Sequence, residues 1–446
     1  MFKPLQTYAN GDKLKCDNYR GITLLNTAYK VLTNILLQKL ETYSEEIIED
    51  HQCGFRTQRS TTDQIFVVRQ GLEKCYEHNI ELHMLFIDYR QAFDSVSRDT
   101  LYEYMEEKGI PKKLIRMIKM TMEQAEAKVM VDGEIGETFL LKRGVRQGDA
   151  LSATLFNIAL NKVLEKLTEA DNIIYKSRQI CAYADDIVLI SRNLKYLKEM
   201  FIHIEQEGKK TGLEINQNKT KYMHITTTEE RRNNNDLVIG TYTFENVVNF
   251  EYLGTLITQN NKISEDIKRR IIIGNRAYFA NLKLIKSKLL TRKTKLKIYK
   301  TLIRPVVVYG AETWNLTNSD CNKLRVFERK LIRRIYGAVH EHGEWRIRNN
   351  REINEILQNE DIVRFIKAQR IRWIGHIERM EDSRTAKRMY KARMERRRRP
   401  GRPRNRWTDE VEKDLRTMNI RPWRTQAQDR DQWRSVVEKA KAHDGL

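Results

Sequence analysis

A chain of 446 residues with 82 Lys and Arg against 60 Asp and Glu, net charge +22, is long enough for two or three packed units. Such an excess favours polyanionic partners, through counterion release and long-range steering. No run approaches the roughly 18 consecutive apolar residues of a membrane span, and Met1 to Gln6 has no signal-peptide core, so a soluble intracellular protein is expected. Five scattered cysteines (Cys16, Cys53, Cys75, Cys181, Cys321) with no C-x-x-C pair argue against a disulfide framework and a structural zinc site, and read as reduced thiols.

Taken in order, Leu82 to Tyr89 is a compact apolar run with the length of a buried strand. Leu151 to Leu167 is helical, with Leu155, Ile158, Ala159 and Val163 on one side. Ile180 to Ser191 holds two more strand-like pieces, and Asn233-Asn234-Asn235 marks a polar loop. From Ser264 to Tyr336 the pattern is helical: Ser264 suits an N-cap, with Glu265 and Asp266 in the first turn. Leu296, Tyr299, Leu302 and Ile303 form one apolar stripe, and Leu324, Phe327, Leu331 and Ile335 another. Their other faces carry Lys293, Lys295, Lys297, Lys300, Arg329, Lys330, Arg333 and Arg334, which suit a phosphate backbone and a solvated helix equally.

Arg364 to Arg406 holds seventeen Lys and Arg against four Asp and Glu, more than half of the net charge. Arg396 to Arg399 run into Pro400-Gly401-Arg402-Pro403-Arg404, which cannot continue a helix. An exposed basic segment, partly disordered before it meets a partner, is expected.

Two places carry chemistry. In Tyr183-Ala184-Asp185-Asp186, adjacent acids sit between strand-forming apolar residues, as at a hairpin tip. Carboxylates this close repel unless a cation neutralises them. In Phe86-Ile87-Asp88-Tyr89-Arg90-Gln91-Ala92-Phe93-Asp94, Asp88 ends an apolar run, again an acid at the rim of a sheet. If the strands are neighbours, Asp88, Asp185 and Asp186 meet, and their oxygens suit Mg²⁺, two ions of which can serve an in-line phosphoryl transfer. Asp residues at strand ends are also ordinary caps and turn formers, and nothing local requires the strands to touch.

The order F-x-D-x-x-x-A-F-D (Phe86 to Asp94), G-V-R-Q-G-D (Gly144 to Asp149) and Y-A-D-D (Tyr183 to Asp186) resembles the palm of reverse transcriptases, in the version of non-LTR (LINE-like) retrotransposons. Asn18 to Ile22, Cys53 to Arg56, Gly212-Leu213 with Asn216 and Lys219-Thr220, and Tyr252-Leu253-Gly254 fall in the same family's order. Tyr309 to Trp314 also resembles sequence that follows this domain, so the likeness covers roughly three quarters of the chain.

The resemblance implies an α+β right-hand polymerase: fingers at 1–81, a palm with an antiparallel sheet at 82–258, a helical thumb at 259–340, and a basic, helical or disordered C-terminal region at 341–446. It implies RNA-directed DNA synthesis with two Mg²⁺ ions (Mn²⁺ as a substitute) on Asp88, Asp185 and Asp186. The partners implied are an RNA template, a DNA primer and deoxynucleoside triphosphates. Phe93 would be a steric gate against ribonucleotides. Arg20 would lie over the triphosphate. Gln147 and Gly148 would sit beside nucleotide and template, with Lys219 a proton donor to pyrophosphate. Arg56 and Arg59 would face template or nucleotide, and Tyr252, Leu253 and Gly254 the primer end. In the tail, Arg398, Arg399, Arg402 and Arg404 resemble an AT-hook core or a plain phosphate-binding run for duplex DNA. Trp373, Trp407, Trp423 and Trp433 suit base stacking or, as favoured here, packing of a helical appendage.

Three departures accompany the likeness. Ala9-Asn10-Gly11-Asp12 stands where the family usually has Lys-Lys-Gly-Asp, Ala150 and Ala153 replace prolines, and neither an upstream endonuclease nor a downstream zinc knuckle is visible. A truncated copy is the expectation, at work in the nucleus or the cytoplasm. The alternatives are a nucleic-acid-binding remnant of the same fold and a relative such as an intron maturase.

Overall fold

The structure, a computed structural model, describes residues 3–8, 19–123, 125–131, 134–170, 173–175, 177–227, 234–394, 398 and 405–446, with backbone alone for 3–8, 19–22, 131 and 168–170. The chain forms two compact units, Met1–Gln64 with Glu81–Val247, and Ile65–Ile80 with Val248–Leu446. Among the described residues no helix is long and apolar enough to cross a membrane.

The first unit contains eight strands used below: β1 (Lys3–Tyr8), β2 (Tyr19–Leu24), β3 (Leu82–Ile87), β4 (Glu126–Val131), β5 (Glu134–Leu140), β6 (Arg178–Tyr183), β7 (Asp186–Ser191) and β8 (Lys221–Ile225). One sheet has the order β2-β1-β4-β5; the other, β6-β7-β3-β8, is antiparallel throughout. All six residues of β3 are buried, as an unbroken apolar run demands of a strand covered on both faces. On one face Leu85 and Ile87 join the core that holds the helix Ala150–Leu164. Thirteen of that helix's fifteen residues are buried, so it is a core helix rather than the one-sided one expected. The alanines at 150 and 153 leave it intact, because Asp149 caps it by accepting from the Leu151 amide.

Among the described residues, the regular elements of the second unit are helices apart from the hairpins 249–258 and 339–346. Its organising group is Asp266, fully buried and accepting from Arg69 (2.9 Å), the Trp314 indole (3.1 Å) and the Leu256 amide (3.0 Å). An unpaired carboxylate there would cost several kcal/mol, so three charge-assisted or neutral donors converge on it. Thus Trp314, read as a family marker, is here a core donor.

Several expectations are corrected. In the second unit Ile267, Tyr299, Trp314 and Phe327 share one core with Ile353, Leu357, Ile362 and Ile366. The hairpin 249–258 and most of the helix Thr61–Glu77 go with that second unit. Ser264 is no cap: the helix starts at Ile263, and the Ser264 hydroxyl donates to Asp320 at 2.8 Å. Leu302 leaves its stripe and is half exposed, since a π-helical stretch at Tyr299–Ile303 rotates it outward.

The basic stretch is also less exposed than expected, for its first part lies in the helix Ile362–Arg379. There Lys367 pairs with Asp414 at 2.9 Å, and Arg370, fully buried, faces the same carboxylate. Trp407 and Trp433 are buried and donate to the Glu312 and Ile371 carbonyls, so packing is the reading that holds for them.

Candidate active site

The acid pair stands where the sequence puts it, at the tip of a two-residue hairpin. β6 and β7 pair from Arg178↔Ser191 to Tyr183↔Asp186, which leaves only Ala184 and Asp185 in the turn. Ala184 takes a left-handed φ of 53°, a conformation that costs a residue with a side chain roughly 1–2 kcal/mol. β3 pairs with β7 up to Ile87↔Ile187, so the next residue, Asp88, falls opposite Asp186. Three acids separated by almost a hundred positions therefore share one sheet edge, Asp88 and Asp185 half-buried and Asp186 exposed.

Among the described residues their oxygens do not all close to within 4.8 Å of one another. The donor set consists only of carboxylates, the ligand type of Mg²⁺ and Mn²⁺, and so fits the expected ions.

The strained turn is held by residues that the sequence reading passed over. The Gln52 side-chain oxygen accepts from the Ala184 amide (2.9 Å) and from the Gly54 amide (2.8 Å). The Cys53 amide donates to the Ala182 carbonyl, and Ala182 donates back to His51. Asn157, on the core helix, donates to the Gly54 carbonyl at 2.7 Å. A Cβ on Gly54 would stand 2.3 Å from the Ala184 nitrogen, so only glycine lets the two backbones approach. Gln52 directly precedes the Cys53-Gly54-Phe55-Arg56 block, and that adjacency was its one visible signal.

Asp88 is braced from the other side. Its amide donates to the Thr220 hydroxyl (3.1 Å), and its carbonyl accepts from the Asn216 amide (2.8 Å). Lys219, exposed, lies one residue before Thr220 and thus on the loop that touches Asp88. Phe93 stacks on Phe156 of the core helix, centroids 4.5 Å apart and planes 16° off parallel. Its carbonyl accepts from Val145, and a Cβ on Gly144 (φ +82°) would meet the Asp94 carbonyl at 2.6 Å. The Gln147 carbonyl accepts from Thr23, and exposed Gly148 follows at φ +106°.

Other candidates are placed differently. Arg56 pairs with Glu45 at 2.8 Å and donates to the Glu49 and Gln52 carbonyls, while Arg59 pairs with Asp50 at 2.6 Å. Arg56, buried, and Arg59, partly buried, brace the loop carrying Gln52, and the Arg56 guanidinium is held where its fork is filled by inward acceptors. Tyr252, Leu253 and Gly254 form a hairpin tip of the second unit, with Leu253 and Gly254 at φ 45° and 73°. Tyr309 donates to the Leu253 carbonyl at 3.1 Å, and Arg270 to that of Gly254. Arg398 pairs with Glu77 at 2.8 Å. Arg20 lies in β2 with only its backbone described; Ala9 to Asp12, Arg399, Arg402 and Arg404 lie outside the described residues.

An antiparallel four-stranded sheet that carries an acid-bearing hairpin beside an acid on the adjoining strand is the palm of a right-hand polymerase. Residues 9–257, more than half of the chain, match the reverse transcriptase (RNA-dependent DNA polymerase) family, and the chain belongs to that family. It is 28% identical to a transposon-derived protein of Caenorhabditis elegans, over 58% of this chain and 94% of that one. It is 26% identical to the RNA-directed DNA polymerase from mobile element jockey of Drosophila funebris, over 73% of this chain and 36% of that one. The chain thus spans about a third of the length of that polymerase. The structure is similar to apo telomerase from Candida tropicalis, at TM-score 0.43 and 14% identity, over 86% of this chain and 65% of that one. The mobile-element relatives agree with the non-LTR resemblance of the motif blocks.

Proposed function

We propose that the chain adds deoxynucleotides to a primer 3′-hydroxyl on an RNA template, as an enzyme of retrotransposon origin. The observation that carries this reading is the register that sets Asp88 opposite Asp186, with Asp185 at the adjoining tip. When bound by these three acids, two Mg²⁺ (or Mn²⁺) ions would supply an activated 3′-hydroxyl and a neutralised pyrophosphate.

The chain's own residues do the rest. Gln52, Gly54, Thr220 and Asn216 fix the backbones that carry the acids, so that side-chain rotation alone is left to bring the carboxylates onto an ion. Phe93, its ring backed by Phe156, is a wall against a ribonucleotide's 2′-hydroxyl, selection by clash rather than attraction. Gln147 and Gly148 border the nucleotide and template, and the Lys219 ammonium is the proton donor to pyrophosphate. Arg20 is the guanidinium for the triphosphate, and the Tyr252–Gly254 turn supports the primer. Lys and Arg of the C-terminal region hold nucleic acid by charge, duplex DNA included, in work that belongs in the nucleus.

The test is primer extension on a homopolymeric RNA template with Mg²⁺, beside an Asp185→Asn control. Extension by the unaltered chain and its loss in the variant are expected. An unaltered chain that binds the primed template yet does not extend it would leave the nucleic-acid-binding remnant as the correct reading.

A further inference from the structure

We propose that Glu81, His83 and His224 form a second cation site, for a borderline divalent transition metal such as Zn²⁺, at the end of the palm sheet away from Asp88. His83 on β3 and His224 on β8 are directly paired in the antiparallel register. Their rings are stacked, centroids 4.9 Å apart and planes 7° off parallel. A Glu81 oxygen lies 4.0 Å from His224 Nε2, and one donor atom from each of the three residues falls within 4.8 Å of the others. Among the described residues no other group of three or more His, Cys, Asp or Glu meets that spacing.

The chemistry differs from that of the catalytic acids. Two imidazoles and one carboxylate are the ligand set of Zn²⁺ and its neighbours, with a fourth position left for water, whereas all-oxygen sets suit Mg²⁺. Both rings are buried while Glu81 stays partly open to solvent, so a hydrated ion has a way in. The Tyr222 hydroxyl lies 2.7 Å from His83 Nδ1. With Nδ1–H donated to that oxygen, Nε2 keeps its lone pair, the outer hydrogen bond that metal-bound histidines commonly make.

In a tetrahedral site the donor atoms stand about 3.3 Å apart, given bonds of about 2.0 Å. From within 4.8 Å the donors must close by up to about 1.5 Å: the Glu81 side chain swings in from its place just ahead of β3, and one ring turns out of the stack so that both in-plane lone pairs meet the ion. Five residues of strand separate His83 from Asp88, about 17 Å, too far for the two sites to share an ion. A metal here would cross-link β3 to β8 and stiffen the sheet that carries the acids. The ordinary alternative is a stacked pair of neutral imidazoles with no ligand.

The full chain, stripped with chelator, would be titrated with Co²⁺ and with Zn²⁺, following the visible absorption of bound Co²⁺ and the heat of Zn²⁺ binding. One equivalent is expected, displaced from Co²⁺ by Zn²⁺, with at least a tenfold weaker affinity in Glu81→Gln and loss of binding in His224→Ala. Glu81 is partly exposed, so its variant keeps the fold, and Mg²⁺-dependent primer extension by that variant should be unchanged. No stoichiometric binding, or binding equally tight in both variants, overturns the site and leaves the polymerase reading untouched.

Discussion

Gly54 carries no chemistry, yet the approach of its backbone to Ala184 sets where Asp185 and Asp186 stand. In Gly54→Ala the new methyl must displace the turn, because its nearest neighbours, the Ala184 nitrogen and the Tyr183 carbonyl carbon, are backbone atoms that cannot rotate away. A shift near 1 Å in a reacting group can cost about a hundredfold in rate. The expected result is a kcat for primer extension lowered at least tenfold, with near-native circular dichroism; an unchanged kcat would show that the turn is not held from this side. The acids themselves could be read from the chain, since apolar strand residues flank each of them. Gln52 could not, for a glutamine in a loop looks like any wetted residue until a turn 132 positions away supplies its partner.

Between elements, Glu328 joins three helical segments of the second unit. Its carboxyl accepts from the Tyr299 hydroxyl (2.7 Å) and from the Ile362 amide (2.8 Å). Burial dominates these two bonds and raises its pKa to about 7. A folded value above the unfolded one means that the protonated form is the one the fold prefers. Its contribution is fully present below the unfolded carboxylate pKa and is lost as pH rises through about 7. Melting temperature should therefore fall between about pH 5 and pH 8, and Glu328→Gln, which keeps an uncharged acceptor, should flatten part of that slope. A slope as steep in the variant as in the parent would rule Glu328 out as its source. Glu73, also raised to about 7 by burial, would account for part of what remains. None of this shows in the sequence, where Glu328 is one charge among many on a helix.

For the molecule as a whole, charge is the dominant quantity. Lys367 and Arg370 belong to an internal network with Asp414, and Arg396 to Arg399 are the densest basic run in the sequence. Binding of single-stranded RNA should weaken linearly with the logarithm of salt, and Ser in place of Arg396 to Arg399 should reduce the slope by up to about 3, at roughly 0.7 per phosphate contact. Fluorescence anisotropy across a salt series measures this; an unaltered slope would mean that the run does not touch phosphate. The sequence by itself determined the acids, their strands, the helical second half and the family, because hydrophobic period and motif order are local properties of a chain. Tertiary structure alone decided that Asp88 faces Asp186, that Arg56 and Arg59 pair with Glu45 and Asp50, and that Glu81, His83 and His224 meet. Those outcomes depend on strand register and burial, which bring together residues that the chain keeps far apart.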